Sequence, residues 1–138
     1  MPKIEIASLP VRTGSGYPAP LKPACERRHK TALGNAVDLT QFGVNLTRLE
    51  PGAASALRHW HEKEDEFVWI LDGELVLVED DGETMLKPGD CAGFKAGVAN
   101  GHHLVNRSKS DTLYLEIGPR SEVERAHYPD DDLAVVRD

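Results

Sequence analysis

The sequence predicts an all-β fold, an antiparallel β-sandwich or barrel preceded by an extended arm. From residue 42 onward short apolar runs recur, and residues typical of tight turns separate them. Strands this short and evenly punctuated are typical of sandwiches and barrels. Before that point, prolines and glycines exclude long helices and predict an arm that lies over another part of the molecule. These residues are Pro10, Pro18, Pro20 and Pro23, with Gly14 and Gly16.

Each candidate strand is an apolar run bounded by turn residues. In chain order, the runs cover residues 44–49, 57–61, 67–71, 75–78, 85–86, 91–94, 102–105 and 113–117. The turns between them are Pro51-Gly52, Asp72-Gly73, Asp81-Gly82, residues 87–90, Asn100-Gly101 and residues 107–111. The run at 67–71 is apolar on both faces, so we expect it to be covered on both sides. Residues 121–126 are a candidate for one helical turn.

Composition narrows the classes of partner. A chain of 138 residues is enough for one domain, and a net charge of −7 argues against nucleic acid as a partner. No apolar stretch approaches the roughly 18 residues of a membrane span, and no signal peptide is visible, so we expect a cytoplasmic protein without a membrane partner. Cys25 and Cys91 form no CxxC pattern and are expected to be reduced, partly buried thiols. The basic group at residues 27–30 is interpreted as a solvated turn.

A histidine pair two residues apart, His59 and His61, is the first sign of a functional site. In a strand such residues point to one face and lie roughly 6.7 Å apart at about 3.3 Å per residue, so both can bind one ion. In a helix they would point about 200° apart. Glu66 begins the next predicted strand and can face the histidines across a loop at 62–65, although Glu64 could replace it if the turn is shorter.

These residues resemble the first conserved motif of the cupin superfamily, which corresponds here to His59, His61, Glu66 and Gly73. The second motif is similar to Gly89-Asp90, Gly97, His102 and Asn106. Residues 42–118 therefore resemble the domain of a bacterial group of small cupins. The resemblance implies a jelly-roll β-barrel in which four inward residues bind one metal ion, namely His59, His61, Glu66 and His102. The chain then divides into an arm (1–41), a barrel core (42–118) and a C-terminal tail that packs on the barrel (119–138).

The second motif departs from the family pattern. Lys95 stands where the family usually has proline, and the gap between Gly97 and the next histidine is four residues instead of two. Strict spacing would make Asn100 the ligand, but an amide is a poor replacement for imidazole and Asn100-Gly101 predicts a turn. Strand alternation places His102 on the same face as Asn106, so His102 is the expected fourth ligand. A shift by one residue would exchange it with His103.

Three imidazoles and one carboxylate would leave a charge of about +1 on a divalent ion and, in octahedral geometry, two open positions. Such a site suits zinc, manganese, iron or nickel. The open positions suit chelation of a hydroxy-carbonyl, diol or carboxylate compound, with the ion acting as a Lewis acid or, if it is iron, binding oxygen. Isomerisation or elimination also needs a base, for which Glu66, Tyr114 and Glu116 are candidates. We expect only one of the last two to face the interior.

The fold does not decide the reaction, because cupins include isomerases, dioxygenases, lyases, storage proteins and regulators. We expect a metal-dependent enzyme of isomerase, dioxygenase or lyase type that acts on a small polar metabolite, sugar-derived, hydroxy-carbonyl or carboxylate. A non-catalytic cupin that binds or senses a small molecule is the alternative, and a scaffold with a vestigial site comes third. The outward apolar row of Phe67, Trp69 and Leu71 predicts a homodimer.

Overall fold

The computed structural model describes residues 2–121, 124–131 and 133–137. In these residues the chain forms twelve β-strands and three short 3₁₀ segments, at Ile6–Ser8, Ala19–Cys25 and Gly34–Val37. The strands are β1 (Arg12–Thr13), β2 (Arg28–Ala32), β3 (Phe42–Leu49), β4 (Trp60–His61), β5 (Glu66–Asp72), β6 (Leu75–Glu79), β7 (Gly82–Leu86), β8 (Cys91–Phe94), β9 (His103–Val105), β10 (Thr112–Pro119), β11 (Glu124–Tyr128) and β12 (Leu133–Arg137).

The strands pair in antiparallel fashion in three sheets. One sheet has six strands in the order β1-β2-β3-β10-β5-β8, and two sheets have three strands each, β12-β11-β4 and β7-β6-β9. Apolar side chains from the large sheet and from β6, β7 and β9 form one core, in which burial of large side chains is nearly complete. This architecture confirms the predicted antiparallel jelly-roll barrel. The largest buried members of the core are Tyr114, Leu49, Ile70 and Leu75.

The tight turn after β5 shows how local chemistry fixes the barrel. Gly73 has a φ of +78°, which L side chains rarely adopt. A Cβ at this position would lie 2.8 Å from the carbonyl oxygen of Asp111, so a side chain would clash with the segment that enters β10. The predicted Asp72-Gly73 turn therefore needs glycine for both conformation and space.

Two expectations are wrong, and a third stays a prediction. In a single chain the outer face of β5 is exposed, with Trp69 46% exposed, so cover on both sides would need a second subunit. Cys91 lies beside Trp69 on that outer face and is exposed, whereas Cys25 is buried. The candidate helical turn at residues 121–126 is replaced by β11, because its backbone pairs with both β12 and β4; residues 122 and 123 lie outside the described part.

Two segments add strands that the apolar pattern does not mark. β2 lies inside the predicted arm, where it pairs with β3 over five residues. β11 lies in the predicted tail and pairs with β4, the strand that carries His61. The arm and the tail therefore both reach the part of the barrel that holds the histidines. In the described residues no helix is long and apolar enough to span a membrane.

Candidate metal centre

Strand pairing brings the histidines together. His59 and His102 lie directly opposite each other in an antiparallel bridge, with N–H to O distances of 3.2 and 2.9 Å. His61 lies in β4, where its neighbour is Ala126 of β11. Glu66 begins β5 and pairs with Phe94 of β8. The four predicted ligands, from three separate segments of the sequence, therefore meet at one end of the barrel.

Among the four predicted ligands, the three imidazoles converge on one carboxylate oxygen of Glu66. Oε1 of Glu66 lies 3.4 Å from Nε2 of His59, 3.3 Å from Nε2 of His61 and 2.8 Å from Nε2 of His102. Donor atoms of His59, His61 and Glu66 all lie within 4.8 Å of one another. Because metal–donor distances are about 2.1 Å, donors on adjacent positions around one ion lie roughly 3 Å apart. The spacing of His59, His61 and Glu66 and the chemistry of their donor atoms fit a divalent ion, whereas His102 lies 2.8 Å from Glu66 but outside this group of three.

The competing residues have other partners. Asn100 donates through its amide to Glu79 and accepts from the backbone N–H of Asp80, so it belongs to the turn before β9. Nδ1 of His103 lies 2.8 Å from the carbonyl oxygen of Ala56. The alternative carboxylate, Glu64, accepts the backbone N–H of Ser121. The structure therefore places His102, and not Asn100 or His103, against Glu66.

Backbone carbonyls set the tautomers of two rings. Nδ1 of His59 lies 2.8 Å from the carbonyl oxygen of Leu57, and Nδ1 of His102 lies 2.9 Å from that of Asn100. A carbonyl only accepts, so each Nδ1 carries the hydrogen and each neutral ring keeps a lone pair on Nε2. In the neutral ring this leaves Nε2 free of hydrogen and able to bind a metal ion; without an ion, Nε2 donates to Glu66 only from a ring that carries a second proton. The tautomer with its hydrogen on Nδ1 is the one that a metal-binding histidine needs.

Glu124 lies behind the third ring. Its Oε1 is 3.6 Å from Nδ1 of His61, too far for a hydrogen bond, so this buried Nδ1 has no hydrogen-bond partner among the described residues, and the Glu124 side chain is 6% exposed. The same carboxylate accepts backbone N–H groups of Glu62, Lys63 and Arg125 at 2.9 to 3.1 Å. It therefore fixes the loop between β4 and β5 as well as facing the ring. Although His61, Glu64 and Glu124 form a second group of donor atoms within 4.8 Å, the Glu124 oxygens already serve these N–H groups.

Electrostatics favour an ionised carboxylate among the rings. Burial by itself raises the pKa of Glu66, but hydrogen bonds from His102 and His59 outweigh it and hold the pKa well below its usual range. Burial lowers the pKa of His61, which favours its neutral form. Burial also acts to lower the pKa of His59, but the neighbouring Glu66 reverses this effect and raises it. In the absence of a metal, the ionised Glu66 therefore favours the protonated form of His59.

Aromatic side chains enclose the histidine rings. The ring of Phe94 stacks on that of His102 with centroids 3.7 Å apart and planes within 2° of parallel. The ring of Tyr128 lies 5.7 Å from that of His59, and Tyr17 contacts Tyr128 edge to face. The Tyr17 hydroxyl accepts the backbone N–H of Leu57. The arm and the C-terminal hairpin therefore meet above the histidines.

Of the cavities that adjoin the four residues, two share His61, Glu66 and Glu116 in their walls. The histidine cavity, of about 190 Å³, has all four predicted ligands in its wall. Its other polar lining residues are Tyr17, Arg28, Lys30, Ser55, His103, Glu116 and Tyr128. The carboxylate cavity, of about 230 Å³, is lined by acidic residues and one arginine. Its charged residues are His61, Glu64, Asp65, Glu66, Glu116 and Arg120.

Two expectations about neighbouring residues are wrong. Tyr114 and Glu116 both face the interior, because residues two apart on a strand point to the same side. Tyr114 is fully buried in the core, whereas Glu116 reaches the histidine cavity. The basic group at residues 27–30 is not a solvated turn, since Arg28 is only 8% exposed and lines that cavity. Lys30 donates to Glu116 at 3.0 Å.

Sequence reasoning missed the cavity residues of the arm and the tail. Arg28 and Lys30 alternate along β2, and this spacing of two was the available signal for a strand with one charged face. Glu124 and Tyr128 had no comparable signal. Their partners lie some sixty residues earlier in the chain, at Glu62 and His59.

Comparison with known proteins identifies the group to which the fold belongs. Residues 45–118 match the family model described as a cupin domain, which is more than half of the chain. A search of curated proteins gave no significant match.

Solved structures give the same fold. A sugar phosphate isomerase from the cupin superfamily of Silicibacter pomeroyi is 49% identical, with a TM-score of 0.96 over 99% of this chain and 87% of that one. A proposed sugar phosphate isomerase of Acidithiobacillus ferrooxidans is 32% identical, with a TM-score of 0.79 over 85% of this chain and 74% of that one. A polyketide cyclase of Streptomyces resistomycificus is 16% identical, with a TM-score of 0.70 over 86% and 79%, and shares the fold alone.

Proposed function

The chain belongs to the cupin family, and from this premise we propose that it is a metal-dependent isomerase of a small hydroxy-carbonyl compound of the sugar phosphate type. The observation that carries the proposal is the convergence of three imidazoles on Glu66, beside a second carboxylate, Glu116, in the same cavity. The similarity to two structures described as sugar phosphate isomerases supports this choice among the reactions that cupins catalyse. A metal site alone would fit several reactions.

We propose that His59, His61, Glu66 and His102 hold one divalent transition-metal ion, either zinc, manganese, iron or nickel. The donor spacing and the Nδ1 hydrogen bonds that leave Nε2 free support this assignment. When bound, the ion supplies a Lewis acid that polarises a carbonyl or hydroxyl oxygen of the substrate. The protein supplies everything else, namely the base, the hydrogen-bond donors and the cavity.

Glu116 is the proposed base. Its side chain is 21% exposed, and its Oε1 accepts from Lys30 at 3.0 Å and from Asn45 at 3.4 Å. These bonds hold the carboxylate in place, and Oε2 has no hydrogen-bond partner among the residues that the structure describes. Unlike Glu66, it is not among the proposed metal ligands. A carboxylate fixed in this way can accept a proton from a bound substrate.

The proposed reaction moves hydrogen within one molecule. Glu116 removes the proton from the hydroxyl-bearing carbon next to the carbonyl and returns it to the carbonyl carbon. The hydroxyl proton passes to the former carbonyl oxygen, so the double bond changes place and no oxidant is required. Tyr17 and Tyr128 line the cavity and can carry that proton. Burial raises the pKa of both phenols, so they remain protonated donors at neutral pH.

The experiment that tests this function follows deuterium. Protein loaded with each of the four metals is incubated with aldose and ketose phosphates in D₂O, and mass spectrometry follows deuterium at the carbon next to the carbonyl. We expect exchange and interconversion in wild type. Glu116→Gln should reduce the rate by about 10² or more, the range typical of a lost general base. Glu74→Gln, an exposed glutamate, is the matched control and should leave the rate unchanged.

The results of this experiment distinguish an isomerase from a protein that only binds a small molecule. Stoichiometric metal with no deuterium exchange for any substrate would contradict the isomerase and favour a cupin that binds or senses a small molecule. Absence of stoichiometric metal in wild type, with His59→Ala behaving identically, would contradict the metal site itself.

We further propose that the protein is a homodimer. Phe67, Trp69 and Leu71 form an exposed apolar row on the outer face of β5, and Phe42 lies exposed at the edge of an adjoining apolar hollow. Exposed apolar patches of this kind are typical of interaction sites. A cytoplasmic location, a bacterial host, and the absence of nucleic-acid and membrane partners stay predictions from sequence.

A further inference from the structure

The two cavities beside the proposed metal ligands differ in charge. Arg28 and Lys30 line the histidine cavity, and neither borders the carboxylate cavity. The latter has Glu64 and Asp65 in its wall, with Arg120 as its basic residue. An anion that approaches Glu66 is therefore attracted from one side and repelled from the other.

Arg28 is a buried cation that binds neutral partners. Its two terminal nitrogens donate to the carbonyl oxygens of Ser55 and Gly14. Its Nε is buried and has no hydrogen-bond partner within the described ranges. At 8% exposure the side chain has lost most of its hydration, and a desolvated charge without a counter-ion is unfavourable. A bound anion would offset this cost.

Lys30 adds no net charge to the histidine cavity, because it is paired with Glu116. Its ammonium and the Glu116 carboxylate are 3.0 Å apart and neutralise each other. With a divalent ion on Glu66, the histidine cavity would then have two positive charges in excess, one at the metal and one at Arg28. Both act on the same volume of about 190 Å³, and the lower dielectric of the surrounding protein makes their attraction for an anion stronger than in bulk water.

We propose that Arg28 binds an anionic oxygen group of the substrate, a phosphate monoester or a carboxylate, inside the histidine cavity. The hydroxyl groups of the substrate then face Glu64 and Asp65 in the carboxylate cavity. This assignment rests on the proposed function of the same site and gives the substrate an orientation. A guanidinium has five N–H donors, and at Arg28 the terminal nitrogens serve Ser55 and Gly14 whereas Nε has no partner among the described residues, so a donor remains for such a group.

Charge and hydrogen bonding can be separated at Arg28. Arg28 also joins the arm to the barrel through Gly14 and Ser55, and a purely structural role would depend on those two bonds. Arg28→Lys keeps the charge with fewer donors, whereas Arg28→Gln keeps a donor without the charge. Anion binding should follow the charge, and arm docking should follow the donors.

The experiment is calorimetric titration of zinc-loaded protein with inorganic phosphate and, separately, with acetate. We expect phosphate, acetate or both to bind wild type, and the stronger ligand identifies the natural anionic group. Arg28→Gln should weaken binding about tenfold or more, the range of a lost charged hydrogen bond, and Arg28→Lys by much less. Arg120→Gln removes a cation from the other cavity and should bind as wild type does.

Equal affinity of wild type and Arg28→Gln would overturn the proposal. So would a loss of affinity in Arg120→Gln alone. If Arg28→Gln does not fold, the Nε–H signal of Arg28 in the nitrogen NMR spectrum of wild type must shift when phosphate or acetate is added. Zinc content measured on the same samples keeps the two proposals apart, because Arg28→Gln should load zinc normally, and loss of zinc from wild type would contradict the metal site instead.

Discussion

At the scale of the residue, the groups that face Nδ1 of each histidine ring decide how the site is built. Backbone carbonyls hold Nδ1 of His59 and His102, and a buried carboxylate faces Nδ1 of His61. The convergence of three histidines on Glu66 could be predicted from the sequence, because the spacing of these residues matches a known motif. The sequence could not predict the groups behind them, because these come from distant turns and from the tail.

Glu124 offers a direct test of that support. Glu124→Gln keeps the size of the side chain but replaces one acceptor oxygen with a donor that faces backbone N–H groups. We expect metal affinity to fall about 10- to 100-fold, the usual effect of losing a group that orients a metal-binding histidine. Competition with a chromophoric chelator measures the affinity. Glu62→Gln, which alters a half-buried carboxylate paired with His127, is the control. Unchanged affinity in Glu124→Gln would show that His61 needs no such support.

Tyr114 tests the choice of base. Its hydroxyl and that of Thr47 are buried without a hydrogen-bond partner in the described part of the chain. Tyr114→Phe removes an unsatisfied polar group, so the free energy of unfolding should change by less than about 1 kcal/mol. Deuterium exchange should be unaffected, in contrast to Glu116→Gln. A rate loss of about 10² in Tyr114→Phe, measured in the same assay, would return Tyr114 to the list of candidate bases.

At the scale of the element, Arg58 joins turns that lie far apart in sequence. It precedes β4 and donates to Asp80 in the turn between β6 and β7, to the carbonyl of Gly101, and to Asp130 after β11. Its side chain is 16% exposed, although both carboxylates are more exposed. The guanidinium therefore ties three loops beside the histidines. Solvent screening at the carboxylates limits what each ion pair contributes.

Replacement of Arg58 should lower stability in a pH-dependent way. The hydrogen bond from Arg58, followed by its charge and that of His103, holds the pKa of Asp130 below its usual value. A lowered folded-state pKa gives stability that is present above the unfolded-state pKa and is lost as the pH falls through the folded-state value. Arg58→Met should therefore lower Tm by roughly 2–6 °C at pH 7, and the difference from wild type should shrink toward pH 3.

Thermal unfolding followed by circular dichroism across this pH range measures the effect. Arg107→Met removes an ion pair with Glu83 whose side chains are 51% and 50% exposed, and it should shift Tm by no more than about 1 °C. A Tm difference for Arg58→Met that grows in acid would contradict the assigned role.

The strands of residues 42–118 could be predicted because apolar runs and turn residues mark them locally. β2 and β11 could not, because their residues are mainly polar or charged, and pairing with β3 and β4 decides their conformation. For the same reason the sequence predicts a surface position for Arg28, which lies buried in β2. The exposed face of β5 has another cause, since alternation shows that a face is apolar and does not show what covers it.

At the scale of the whole molecule, the outer face of β5 predicts self-association. Trp69→Lys places a charge in the centre of the apolar row and should convert a dimer to a monomer. Light scattering after size exclusion at micromolar concentration gives the mass. Met85→Lys alters a residue of similar exposure on β7, in a different sheet, and should leave the mass unchanged. A wild type that is strictly monomeric at this concentration would contradict the homodimer.

The C-terminal hairpin completes the wall of the histidine cavity, through Tyr128, and supports His61, through Glu124. During synthesis this segment leaves the ribosome after all four proposed ligands have emerged. A nascent chain could therefore meet metal ions before the group that orients His61 is in place. If the proposed site is filled during synthesis, selection among competing ions depends on when this hairpin docks.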